Sequence, residues 1–101
     1  MSHFGQLLAA LKQTMPITHN RLVVRRCSMR DYGRTTLSGR GTITITVNKQ
    51  LSHIMQLDTL AHEWAHAVLF DTNSADEQHG SDWGRCYAKA YRVYEATCKE
   101  V

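Results

Sequence analysis

The run Leu57-Asp58-Thr59-Leu60-Ala61-His62-Glu63-Trp64-Ala65-His66-Ala67-Val68-Leu69 decides how this chain is read. Leu57, Leu60, Ala61, Trp64, Ala65, Val68 and Leu69 recur at the three- and four-residue intervals that gather side chains on one face of an α-helix. The same period sets His62 and His66 one turn apart, where two imidazoles can reach a single metal ion. Glu63 follows the first of them directly, which turns its carboxylate toward the side where a metal-bound water could give up a proton. A bare five-residue match also arises by chance, and the amphipathic frame around this one gives it its weight. Imidazole donors favour zinc over magnesium or calcium.

A catalytic zinc takes three protein ligands and a water, so a third ligand is required. Beyond His66 the polar stretch Asp71 to Gln78 can turn the chain back, and it leads into His79-Gly80-Ser81-Asp82-Trp83. His79 is the expected third ligand. Asp76, Glu77 and Asp82 compete with it, because a carboxylate is also accepted in that position. With zinc on His62, His66 and His79, the chemistry expected is peptide hydrolysis, with Glu63 taking a proton from the attacking water and returning it to the leaving amine. Tyr87, Tyr91 or an arginine of the β-region would steady the oxygen of the tetrahedral intermediate. Asp58, Asp76 and Asp82 are candidates to orient an imidazole, although Asp more often serves as a cap or a solvated charge.

Upstream, Phe4, Leu7, Leu8, Leu11 and Met15 keep helical spacing until Pro16, which predicts a helix over residues 2–14. A β-like stretch opens at Leu22-Val23-Val24 and runs unevenly through Tyr32 and Leu37, with Gly33 and Ser38-Gly39 read as turns. Alternation becomes strict in Thr42-Ile43-Thr44-Ile45-Thr46-Val47, a half-buried strand that Asn48 ends. The motif helix is expected from about Ser52, a plausible cap, to Phe70. A last helix starts near Ser81, and its stripe of Trp83, Tyr87, Ala90, Tyr91, Tyr94 and Thr97 reads as core packed on the motif helix. These elements predict a single α+β domain over residues 1–101: helices on one face of a small antiparallel sheet of about three strands.

Charge is divided unevenly. Residues 1–50 carry eight Lys or Arg against Asp31 alone, a balance of +7, whereas residues 51–101 carry four against eight acids, a balance of −4. Arg21, Arg25, Arg26, Arg30, Arg34 and Arg40 suit an anionic partner such as DNA or RNA, and equally suit solvated strand edges. Cys27, Cys86 and Cys98 are odd in number and lack Cys-x-x-Cys spacing, so they are expected as reduced, partly buried thiols rather than a disulfide framework or zinc ribbon. Cys27 as a metal ligand is disfavoured because three histidines already satisfy the site. His3, His19 and His53 fall outside the motif spacing and are read as surface residues. No apolar run reaches membrane-spanning length, and Met1 to Thr14 lacks the order of a secretory signal, so an intracellular protein is expected.

The His62-Glu63-x-x-His66 helix, the Ile43-Thr44-Ile45-Thr46-Val47 strand before it and the His79-Gly80-x-x-Trp83 segment after it together resemble the SprT-like zinc metallopeptidases, the group that includes Spartan. The likeness covers about residues 20–95. It implies a zincin-like minimal core with zinc on His62, His66 and His79, and a glycine-containing β-region to which Tyr32-Gly33-Arg34-Thr35 and Gly39 to Asn48 are similar. Many SprT-like proteins continue into a cysteine-paired zinc ribbon, and the sequence through Val101 shows no such cysteines. Its size fits a stand-alone bacterial or phage form of the core, with DNA-associated proteins as the substrate class the resemblance suggests. Peptide substrate is expected to add a strand along the sheet edge, read through its backbone with little side-chain selectivity. The competing reading is a zinc-stabilised nucleic-acid-binding module without proteolytic activity, in which Glu63 is dispensable.

Overall fold

A computed structural model of the chain describes residues 2–73 and 80–98. Its elements are α1 (His3–Thr14), β1 (Arg21–Cys27), β2 (Gly33–Leu37), β3 (Thr42–Asn48), α2 (His53–Asp71) and α3 (Ser81–Cys98). Both early helices begin at a serine cap: Ser2 Oγ accepts the Gly5 N–H at 3.1 Å and Ser52 Oγ accepts the Met55 N–H at 3.3 Å, each satisfying a donor that the first turn leaves open. The end of α1 is set by Pro16, which cannot continue the helix, and the Met15 N–H closes the last turn on Leu11 O at 2.8 Å. The three helices lie close to the expected bounds.

The sheet departs from expectation. Its order is β1-β3-β2, with β2 antiparallel to β3 but β1 parallel to it, so the sheet is mixed rather than antiparallel. Gly33, read as a turn residue, opens β2 opposite Val47 instead. To reach β2 from β1 the chain must pass over the C-terminal end of β3, and Asn48 holds it there. The Asn48 amide nitrogen donates to Met29 O and Asp31 O, both at 3.1 Å, while its backbone N–H donates to Tyr32 O at 2.9 Å. At the opposite end, Gly41 (φ +79°) completes the hairpin turn in a conformation that favours glycine, and its carbonyl accepts the Arg21 N–H at 2.9 Å, starting the parallel ladder.

Ile43, Ile45 and Val47 point from the central strand into the helices and are fully buried with Leu7, Leu11, Leu60, Ala61 and Trp64. Trp64 is the largest of these. Its indole Nε1–H donates to Met15 O at 2.9 Å, which ties the motif helix to the end of α1. Cys98 is buried and Cys27 and Cys86 are half-buried, all three as free thiols. Burial pushes the Cys86 and Cys98 thiols above their ordinary range. Among the described residues no helix is long and apolar enough to cross a membrane.

Asp71 closes the C-terminal end of α2 against the segment that joins α1 to β1. Its carboxylate accepts the Thr18 and His19 N–H groups, both at 2.9 Å, together with the Asn20 amide at 3.2 Å and the His19 ring at 3.3 Å. Burial alone would raise its pKa, but the hydrogen bonds from Thr18, Asn20 and His19 outweigh it and hold the carboxyl below the ordinary value. A folded-state pKa below the unfolded one gives stability that is complete above about pH 4 and lost as pH falls through the lower folded value. Thermal melts of wild type and Asp71→Asn are therefore expected to differ most near neutrality and to converge below about pH 4. A gap that stays constant to low pH would remove Asp71 from the acid response.

Candidate active site

Successive residues of a helix point about 100° apart, so the five motif residues of α2 are sorted onto three surfaces. Trp64 and Ala65 face the core and are fully buried. His62 and His66 share the next surface, half-buried, with ring centroids 5.3 Å apart. Glu63 projects toward β2, where it is only 8% exposed.

An aromatic wall from α3 closes the histidine side. Trp83 lies 4.9 Å from His62 and 5.4 Å from His66, centroid to centroid, and stacks on Tyr87 at 5.1 Å. Trp83 and Tyr87, read from sequence as core, are half-buried and border the imidazoles; the buried stripe of α3 is Ala90, Tyr94 and Cys98. Tyr87 also meets the His62 ring at 5.6 Å. Its hydroxyl donates to Asp58 Oδ1 at 2.9 Å, one turn before His62. Burial, and then the bond to Asp58, push the phenol up to about 12, so it stays protonated through the physiological range. Tyr91 packs edge-on against Tyr87 and Tyr94 further along the helix. Asp82 pairs with Arg85 at 3.2 Å in the first turn of α3.

On the other side, β2 approaches α2 as closely as a backbone can. A Cβ at Gly33 would sit 2.6 Å from Thr59 Cγ2 and 3.1 Å from both Glu63 Cγ and Thr46 O, so only glycine fits without displacement. Two residues on, Thr35 Oγ1 donates to Glu63 Oε1 at 2.7 Å. Tyr32, Gly33, Met55, Asp58, Thr59, His62 and Glu63 line an open cleft of about 270 Å³ where β2 meets α2. Gly33 and Thr35 lay within a stretch singled out from sequence, but their contacts to Glu63 were not foreseen. A glycine two residues ahead of a threonine in a strand is too common a pattern to signal them.

His79, Asp76 and Glu77 lie outside the described residues. Gly80, next in sequence, accepts the Gly84 N–H at 2.9 Å at the start of α3. Among the described residues no group of three or more metal-ligating side chains gathers. The imidazole pair suits two positions of a tetrahedral zinc, the ion such donors favour, and Cys27 does not join them because it faces the other side of the sheet. His3 and His53 pair with each other at 3.1 Å near the starts of α1 and α2.

The sequence profile of the SprT-like family matches residues 4–100, nearly the whole chain. The chain belongs to the SprT-like family. Neither the curated proteins nor the solved structures yield a match. SprT-like proteins are in general metallopeptidase-like and associated with zinc, and the half-buried histidine pair beside an anchored glutamate is the part of this SprT-like chain that suits such chemistry.

The arginines divide between the two faces of the sheet. By the strand registers, Arg21 and Arg25 of β1 and Arg34 of β2 fall on the same face as Thr42, Thr44 and Thr46, away from the helices. Arg26 points to the helix side, its guanidinium 4.4 Å from the Phe4 ring centroid, and it donates to Gln56 Oε1 at 3.2 Å. Arg30 and Arg40 are exposed in the connections.

Proposed function

We propose that this protein is a zinc-dependent metallopeptidase with a zincin-like core, hydrolysing peptide bonds of protein substrates. The observation that carries the proposal is the sorting of α2: two imidazoles on one surface, and on the next a buried carboxylate held by Thr35 at the rim of a cleft. His62, His66 and His79 would hold the metal. Trp83 lies against both rings, so the start of α3 reaches the imidazole pair, and His79 just before it is our choice of third ligand, with Asp76, Glu77 and Asp82 as the competing carboxylates. Bound there, zinc would supply a Lewis acid that polarises the scissile carbonyl and acidifies a water.

The chain's own residues do the rest. Glu63 accepts the proton of the attacking water and delivers it to the leaving nitrogen, a task for a carboxylate within hydrogen-bond reach of the cleft. β2 is an edge strand of the sheet and contributes Gly33 to that cleft, so an extended peptide can add to it through main-chain hydrogen bonds. A shallow, open cleft suits backbone recognition with little dependence on side chains. Of the two tyrosines Tyr87 is the one whose ring meets His62, and its hydroxyl would have to turn from Asp58 Oδ1 to steady a developing oxyanion. The test is incubation of zinc-loaded protein with unstructured casein, before and after chelation and with zinc restored. Cleavage that follows the metal supports the reading, and zinc-bound protein that leaves casein intact counts against it.

A second reading is favoured by the outer face of the sheet. Arg25 and Arg34 flank a groove of about 360 Å³ floored by Thr44 and Thr46, and Arg25 Nε is steadied by Thr46 Oγ1 at 3.3 Å. Such a surface suits the phosphates of a nucleic acid, which would bring DNA-associated proteins to the peptidase or act alone in a binding module. If Arg21, Arg25 and Arg34 each neutralise a phosphate, affinity for a single-stranded oligonucleotide is expected to fall roughly ten- to fortyfold between 50 and 200 mM salt, by fluorescence anisotropy. Affinity that is unchanged in an Arg25→Ala/Arg34→Ala variant would remove this face from the contact.

A further inference from the structure

Glu63 is an acidic side chain only 8% exposed, on a helix whose core-facing positions Leu60, Ala61, Trp64 and Ala65 are apolar. A carboxylate in such a place needs a hydrogen bond to stay in one rotamer, and the donor must itself be held still. Thr35 meets both needs. Its Oγ1 lies 2.7 Å from Glu63 Oε1 and 3.1 Å from Glu63 O, so a single hydroxyl touches the side chain and the backbone of the same residue. The shorter contact to the carboxylate oxygen is the stronger claim on its one proton. Being β-branched, Thr35 is restricted at χ1, and its pairing with Ile45 of the central strand fixes its backbone. Gly33, two residues earlier on the same face, lets β2 come near enough for the bond to form.

We propose that Thr35 is a positioning residue: its hydroxyl holds Glu63 Oε1, which leaves Oε2 as the oxygen that exchanges protons in the cleft. The inference rests on the peptidase reading. Valine at this position keeps the shape and removes the hydroxyl, whereas serine keeps the hydroxyl and removes a methyl group, so the pair separates positioning from packing.

The experiment measures kcat and KM on a fluorogenic peptide for zinc-loaded wild type, Thr35→Val and Thr35→Ser, with zinc content and melting temperature for each. Thr35→Val is expected to lose roughly ten- to a hundredfold in kcat, as misplacement of a reacting group by about 1 Å does. Its KM and zinc stoichiometry are expected to stay at wild-type levels, and Thr35→Ser to recover most of the loss. Wild-type kcat in Thr35→Val overturns the proposal, as does a Thr35→Ser variant impaired as severely as Thr35→Val, which marks a packing role. Melting temperatures of Thr35→Val, Glu63→Ala and the double variant supply a readout that needs no turnover. Non-additive shifts are expected from two groups in contact, and additive shifts overturn the contact. A wild-type protein without activity would sink the peptidase reading separately, leaving the melting cycle to decide whether the hydroxyl holds the carboxylate.

Discussion

Glu63→Gln is expected to lower the rate of peptide hydrolysis roughly a hundred- to ten-thousandfold, the range general-base catalysis contributes, while leaving zinc content at wild-type level. The physical case for so large an effect with so little disturbance lies in the environment of the side chain. Glutamine matches glutamate in volume, and its amide oxygen can accept the Thr35 hydroxyl as Oε1 does. What it cannot do is take a proton. The histidines occupy a different surface of α2, so their geometry does not depend on the charge at position 63. Casein cleavage followed on gels and by mass spectrometry, with metal content measured on the same samples, checks both halves. A variant within threefold of wild type would take Glu63 out of the chemistry and favour a structural zinc, which needs no proton acceptor.

Trp64→Ala is expected to cost about 3–5 kcal/mol of folding stability, the range for truncating a large buried aromatic. That is a substantial part of the 5–15 kcal/mol typical of a whole domain. Trp64 is fully buried, and its indole nitrogen is the donor to Met15 O, so the substitution removes packing and leaves a buried carbonyl without that donor. Trp64→Phe keeps most of the apolar volume and loses only the donor, and a cost of about 1–3 kcal/mol is expected from it. Urea unfolding at constant m-value measures both. The two variants together divide packing from hydrogen bonding, and a Trp64→Ala cost below about 1 kcal/mol would mean that the core closes over the site without it. The link to the motif is direct: Trp64, the residue after Glu63, is the one that ties α2 to the end of α1.

Several site features were legible because they are local. Ser52 sits at the start of the motif helix, Pro16 stops the first one, and the four-residue interval of His62 and His66 needs nothing beyond helical period to put them on one surface. The family resemblance rested on the same local features and is matched by the profile over residues 4–100. Thr35 was not legible as a partner of Glu63, because 28 residues and a change of element separate them. Nor was the aromatic wall: the periodicity of α3 correctly predicts an amphipathic helix, but it does not distinguish a stripe packed in the core from one that turns two of its rings toward imidazoles.

The sequence by itself determined the three helices, the central strand, the α+β class and the motif carried on α2, since helix period, strand alternation and capping act over a few residues and are written in their order. Tertiary structure alone decided the strand order and its parallel pair, because which strand takes the centre depends on the joint burial of Ile43, Ile45 and Val47 and on Asn48 holding the crossover above them. It also decided which arginines share a face. Arg25 and Arg26 are adjacent in the chain, yet the pleat of β1 sends one to the outer groove and the other across Phe4, a division set once the register against β3 is made.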